Sequence, residues 1–240
     1  GRSMRLVSIA LGEAVRALLD KGKSIASHVL QAPAAQVDFV DGLFRTHDGA
    51  SMGFFEVAQA AVNTGTLPGE LSGQWHAVGD VTNRAGGYPY GAHVCEVEVD
   101  PETGEVQVVA WTGVDDVGLA VNPLVLHGQA QGAVAQGIGQ ALCEAVYYES
   151  GSAQLLSGSF MDYALPRADT LPPIETVVTE VPASSHPYGI RPGGEGGTTP
   201  APAALVNAVV DALHEFDVSH IEMPLTPERV LRAIRGNAMS

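Results

Sequence analysis

Two cysteines, Cys95 and Cys143, are all the thiol this chain has. By themselves they cannot furnish an iron–sulfur cluster or a four-ligand zinc site. One disulfide would use both, while two buried free thiols in a cytosolic protein is the reading the sequence favours. Charge is also scarce, at 16% of residues, and it is lopsided. Twelve Lys and Arg stand against 27 Asp and Glu, a formal net charge of −15 over 240 residues. A surface so acidic repels phosphate backbones and anionic headgroups, so nucleic acid and membrane are not expected partners. No apolar run is long enough to cross a bilayer, and no basic-plus-apolar leader opens the chain. Recognisable metal spacings are missing. His93, His127 and His186 form no His-x-His or His-Glu-x-x-His pattern, so each reads as structural. There is no Gly-x-Ser-x-Gly nucleophile elbow either. What remains is 45% apolar residues, enough for one large packed domain or two smaller ones.

The apolar pattern predicts a long helix over residues 5–33, ended by Pro33. A small hairpin follows, with strands 37–40 and 43–45 joined across Asp41-Gly42. A second helix is expected over 52–63, capped by Ser51, and a short strand over 74–80. Alternation in His93-Val94-Cys95-Glu96-Val97-Glu98-Val99 and the Pro101-Glu102-Thr103-Gly104 turn predict a hairpin of strands 92–100 and 105–114. Residues 123–145 read as a Gly- and Ala-rich helix. Its stripe of Gly128, Gly132, Ala135 and Gly139 suits either tight helix packing or the approach of a flat ligand. A second hairpin is expected over 146–157, a strand over 176–181, and a helix over 200–216 with Thr198 or Thr199 as its cap. A last helix, capped by Thr226, covers 227–235. The expected class is α+β, mixed helices with small sheets in one chain of 1–240, divisible into α/β subdomains of about 1–115 and 116–240.

Three features could carry chemistry. In Gly193-Gly194-Glu195-Gly196-Gly197 one carboxylate sits between two glycine pairs, just ahead of a helix start. Four glycines around one acid suggest a backbone held in a special shape that a ligand can approach. A general base fits this setting, and so do a helix-dipole partner and a solvated turn residue. Next, Gln129, Gln131, Gln136 and Gln140 lie on an apolar helix, where a buried amide must find partners and an amide-rich cofactor would supply them. Gly137-x-Gly139 lacks the third glycine of a dinucleotide fingerprint, which excludes a Rossmann site. Lastly, Asp115-Asp116 ends a strand. Two acids fall short of a hard cation's oxygens, and the first reads better as a turn or cap acid.

In order along the chain stand Tyr90-Gly91-Ala92-His93-Val94, Asp100-Pro101-Glu102-Thr103-Gly104, Val114-Asp115-Asp116-Val117-Gly118, Asn122-Pro123, Gly128-Gln129 and Gln136-Gly137-Ile138-Gly139-Gln140-Ala141-Leu142. Then come Phe160-Met161-Asp162-Tyr163, Pro166-Arg167, the Glu195 loop and Met223-Pro224-Leu225-Thr226-Pro227-Glu228-Arg229. As an ordered set these resemble the C-terminal part of the molybdopterin-binding large subunit of the xanthine dehydrogenase, aldehyde oxidase and carbon monoxide dehydrogenase family, its second molybdenum domain.

By that resemblance Glu195 is the catalytic base beside molybdenum in the oxidative hydroxylation of an aldehyde or N-heteroaromatic. Water supplies the oxygen and two electrons leave through the pterin. Gln129, Gly194 and Arg191 would contact the cofactor. Gly1-Arg2-Ser3-Met4 is similar to the tail of a pterin-binding loop, which makes Arg2 and Ser3 cofactor contacts and implies a cut or split chain. The resemblance further implies molybdopterin cytosine dinucleotide with Mo, and a partner chain carrying the N-terminal molybdenum domain. It implies FAD and [2Fe-2S] subunits, assembly as a dimer of heteromers and a cytoplasmic location. A non-catalytic assembly subunit and an anion-binding domain are the rival readings. Val117 stands where the family often has Cys, and Pro192 precedes the glycine pair.

Overall fold

The computed structural model describes residues 2–63, 65, 67–73, 75–82 and 86–237. They form two compact units, one of residues 3–84 and one of residues 85–240 with the first two residues. The sequence division near 115 lies within the strand Val106–Asp116.

The first unit opens with helix α1 (Arg2–Leu30). Strands β1 (Val37–Val40) and β2 (Leu43–Thr46) pair antiparallel. Asp41 and Gly42 both take positive φ, 51° and 77°, the twist that suits a two-residue hairpin turn. A strand the sequence did not announce, β3 (Ser51–Gly53), adds to β2. Ser51 therefore belongs to a strand and does not cap α2 (Phe54–Val62). Instead the Gly53 N–H at the helix start donates to Glu56 Oε2 at 2.6 Å. Ile25, Ala26, Val37, Phe44, Val57 and Ala61 form this unit's core. Trp75 packs on Phe44 and Phe54 and donates to Leu18 O at 2.9 Å. The strand expected over 74–80 is absent among its described residues, 75–80. Gln74 lies outside them.

The second unit is a three-stranded mixed sheet in the order β4-β5-β6. The predicted hairpin is β4 (Tyr90–Val99) and β5 (Val106–Asp116). In its turn, Asp100 Oδ1 accepts the Glu102 and Thr103 N–H groups, and Gly104 takes φ +76°. Helix α3 (Pro123–Leu142) starts on the Asn122 side chain, which accepts the Val125 N–H at 3.2 Å. The chain then returns so that β6 (Ile174–Thr179) pairs parallel to β5. Helix α4 (Ala201–Ala212) packs on β4 and α3. Helix α5 (Pro227–Asn237) begins at Thr226, whose Oγ1 accepts the Arg229 N–H. Trp111, Val134, Ile138, Leu205, Val209, Leu213 and Val230 lie in one buried core. This is the mixed α+β arrangement that the sequence implied.

Two further expectations fail locally. The 146–157 hairpin shrinks to a single bridge, Tyr148 to Leu155. At the start of α4 the cap position is Pro200, with no side-chain cap. The Thr198 and Thr199 hydroxyls donate elsewhere, to Ala133 O and Glu195 O.

Candidate active site

The Glu195 loop is pinned at three places. Its entry runs beside the end of β5: the Arg191 N–H donates to Val117 O at 2.8 Å, and Ile190 bridges Gly118. Further along, a Cβ added at Gly196 would stand 2.9 Å from Asp115 Oδ1. At its exit, a Cβ at Gly197 would stand 2.7 Å from Ala130 O and 2.9 Å from Val134 N. The loop thus lies directly on the backbone of α3, an approach that only glycine allows. Thr198 fastens the same crossing through Ala133 O at 3.1 Å.

This crossing sets Glu195 beside one face of α3. Gln129, Gly132, Ala133, Gln136, Gly194, Glu195, Thr198 and Thr199 line a single open cavity of about 430 Å³. Positions 129, 132, 133 and 136 follow helical spacing, so one stripe of α3 supplies half the wall. Both glutamines are exposed, as is Glu195. Gly128 and Gly132 have open space where a side chain would go, whereas Gly137 is pressed on Ala201. The small-residue stripe therefore serves two purposes: its N-terminal part opens the cavity and its C-terminal part packs the helix.

The sequence candidates sort accordingly. Gln129, Gly194 and Glu195 come together in this cavity. Gln136, Thr198 and Thr199 join them, and the helical spacing from Gln129 was the signal that could have found Gln136. Gln131 does not join; its amide donates to Ile174 O at 3.3 Å. Arg191 is not in the lining. Its Nε pairs with Asp116 Oδ2 at 3.1 Å and donates to Val181 O, and its guanidinium lies 4.8 Å from the Tyr90 ring centre. Arg2 and Ser3 lie exposed in the first turn of α1, a helical and not a loop setting; Gly1 lies outside the described residues.

Asp115 and Asp116 do different things. Among the described residues no group of three or more His, Cys, Asp or Glu could hold an ion. Adjacent strand residues point to opposite faces, and here each acid holds its own part of the site. The second of them, not the first, is the turn acid. Asp116 Oδ1 accepts the N–H groups of Gly118 at 3.0 Å and Val181 at 2.9 Å. Burial pushes its carboxyl up, but those two N–H groups and the Arg191 guanidinium prevail and hold it below the usual carboxylate range. Two histidines hold local structure by hydrogen bonds. His127 Nδ1 meets Thr176 Oγ1 at 2.7 Å, and His186 Nδ1 accepts from the Tyr188 and Ile190 N–H groups just ahead of the loop. Cys95 and Cys143 are free. Burial raises both thiols, Cys95 to about 11, and the Glu144 charge adds to the effect at Cys143.

A larger cavity of about 1050 Å³ lies along β5 and residues 160–173. It contains none of the candidate residues, and its walls include Phe160, Leu171, Pro172 and Pro173. The smaller cavity is the one in which the sequence candidates Gln129, Gly194 and Glu195 meet.

Small residues, two amides, two hydroxyls and one carboxylate thus share one open cavity. The chain belongs to the molybdopterin cofactor-binding domain family, whose match covers residues 1–172. It is similar to the nicotine 6-hydroxylase large subunit of Paenarthrobacter nicotinovorans, 34% identical over 236 residues, covering 94% of this chain and 28% of that one. Among solved structures it resembles a Cu,Mo-CO dehydrogenase (28% identity, TM-score 0.83), covering 94% of this chain and 28% of that one. It also resembles quinoline 2-oxidoreductase from Pseudomonas putida 86 (33% identity, TM-score 0.77), covering 92% and 28%. The chain thus spans less than a third of the length of these relatives. It is a domain of the kind that molybdenum hydroxylase large subunits contain.

The cavity fits the cofactor in kind. Its amides and hydroxyls can pair with a pterin edge, and the open space at Gly132 admits a flat ring. With no side-chain cluster to bind an ion among the described residues, a metal here would be carried by the cofactor.

Proposed function

We propose that this chain forms one wall of the active site of a molybdenum-dependent oxidoreductase, with Glu195 as its catalytic base. The observation that carries the reading is the convergence of Glu195 with Gln129 and Gln136 on one cavity. Bound molybdopterin supplies a two-electron redox centre and the water-derived oxygen that enters the substrate. The chain's own residues do the rest. Glu195 accepts a proton at its carboxylate, in a loop whose glycines leave the approach clear. Gln129 and Gln136 hold the cofactor's hydrogen-bonding edge, and Gly194 lets it lie close. Arg191, neutralised by Asp116, orients the loop more than it binds an anion. Arg2 and Ser3 are further cofactor contacts.

The substrate is an aldehyde or N-heteroaromatic, both of which present an electron-poor carbon. The cofactor is the cytosine dinucleotide form. An N-terminal molybdenum-domain chain completes the cavity, and FAD and [2Fe-2S] subunits carry electrons away. Two such assemblies pair in the cytoplasm. The openness of the cavity supports a covering partner, and so does the exposure of Leu124, Phe160 and Met161, each above 80%.

Glu195→Gln in the assembled enzyme tests the base. Turnover falls by about 100-fold or more while Mo and pterin contents stay at the parent level. Unchanged turnover with the cofactor in place overturns the assignment.

A further inference from the structure

Beneath the Glu195 loop lies a buried polar chain that the proposed reaction does not use. The His93 side chain is fully buried and that of Asp115 is 8% exposed. Trp111 Nε1 donates to His93 Nδ1 at 3.1 Å. An indole N–H can only donate, so His93 Nδ1 carries no proton. The imidazole is therefore neutral with its proton on Nε2, which donates to Asp115 Oδ1 at 3.2 Å. Trp111, Gly113 and Asp115 alternate along β5 and so face one side of the sheet. Gly113 is the gap across which His93 lies, since a Cβ there would stand 2.7 Å from His93 Cε1.

The chain ends against the loop. Asp115 Oδ1 would stand 2.5 Å from a Cβ at Gly91 and 2.9 Å from one at Gly196. The carboxylate is clasped between two glycines, and the second of them follows Glu195 directly. All three atoms nearest to a Gly196 Cβ belong to Asp115. A buried carboxylate is costly, and apolar packing stabilises a core at least as well. Its contact with the loop gives it a use that apolar packing would not supply.

We propose that Trp111, His93 and Asp115 form a positioning array for the Glu195 loop. The indole sets the imidazole tautomer, and the imidazole orients the carboxylate. The carboxylate then braces the backbone at Gly196, so that Glu195 enters the cavity in one direction. These are positioning residues, because none of them lines the cavity. The proposal rests on Glu195 being the base, and its test separates the two claims.

The loop is read first in the chain itself, by hydrogen exchange of the segment containing Gly193 to Gly197. Asp115→Ala is expected to raise exchange there by about tenfold. Asp115→Asn keeps the shape and the acceptor oxygen for His93 and is expected to restore most of the protection. Trp111→Phe keeps the ring and removes the donor, and should give an intermediate effect. Gly196→Ala forces the loop off Asp115, and adding Asp115→Ala removes the atoms it would strike. The double variant is therefore expected to be less perturbed than the sum of the two singles. In the assembled enzyme, Asp115→Ala should lower kcat by roughly 10- to 100-fold with KM and Mo content unchanged. Parent-level exchange of the loop in Asp115→Ala, or strict additivity with Gly196→Ala, overturns the array. Should Asp115→Ala not fold, Trp111→Phe and the Asn variant carry the same test. A Glu195→Gln enzyme with full turnover would sink the base instead, while the exchange result still decides the array.

Discussion

Asp116 shows how one side chain ties distant pieces together. It accepts two backbone N–H groups, pairs with Arg191, and joins residues 65 apart in the chain. Hydrogen bonds to a charged group contribute about 1.5–3 kcal/mol each when their loss leaves partners unpaired. Asp116→Asn is expected to cost roughly 2 kcal/mol at neutral pH. Because the folded carboxyl titrates below the ordinary 3.8, its contribution is fully present above that value and is lost as pH falls through the lower, folded one. The gap between the parent and the Asn variant should therefore begin to close below about pH 4 and go on closing as pH falls through the folded value. Acid unfolding of the two chains followed by circular dichroism checks this, and a constant gap down to pH 2 would refute it. The sequence flagged Asp115-Asp116 as a pair but not the division of labour. Strand alternation sends them to opposite sides, and what each meets depends on a loop some eighty residues on.

At the scale of elements, α3 and the Glu195 loop make the cavity by touching backbone to backbone at Gly197. Gly197→Ala would place a methyl 2.7 Å from a helix carbonyl that cannot step aside. Overpacking of this kind costs about 1–3 kcal/mol. Gly132→Ala is the opposite case, since nothing lies within 4 Å of its missing side chain. There the gain in helix propensity, up to about 1 kcal/mol, stabilises α3. Since Gly132 lines the cavity, the same methyl should lower cofactor retention. Thermal melting of both variants, with pterin content of the purified enzyme, distinguishes the two glycines. Equal melting shifts would refute the distinction. Element boundaries were legible where local chemistry announced them: Asp41-Gly42 in its hairpin and Thr226 as a cap. They were missed where a neighbour in space decided, as at β3, which exists because β2 offers an edge.

For the whole molecule, the balance of charge and exposed apolar surface matters more than any single contact. A net charge of −15 disfavours contact with polyanions. Among the described residues no helix is long and apolar enough to cross a membrane. Yet Phe160 and Met161 are 84% and 93% exposed, a poor arrangement for a surface that meets only water. Purified from its native host, the chain is expected to bring further polypeptides together with Mo and Fe. Recovery as a lone chain free of both metals would refute this.

The sequence alone determined the periodic elements, the β4–β5 hairpin and the order of motifs that places Glu195 among glycines. Those follow from interactions between near neighbours: turn residues, caps and apolar spacing. Only the tertiary structure decided that Gln129 and Gln136 face Glu195, that Arg191 is held by Asp116, and that Asp115 lies under Gly196. Those are contacts between segments far apart in the chain. No local pattern encodes them, because they arise only when close-packed glycines let one backbone settle on another.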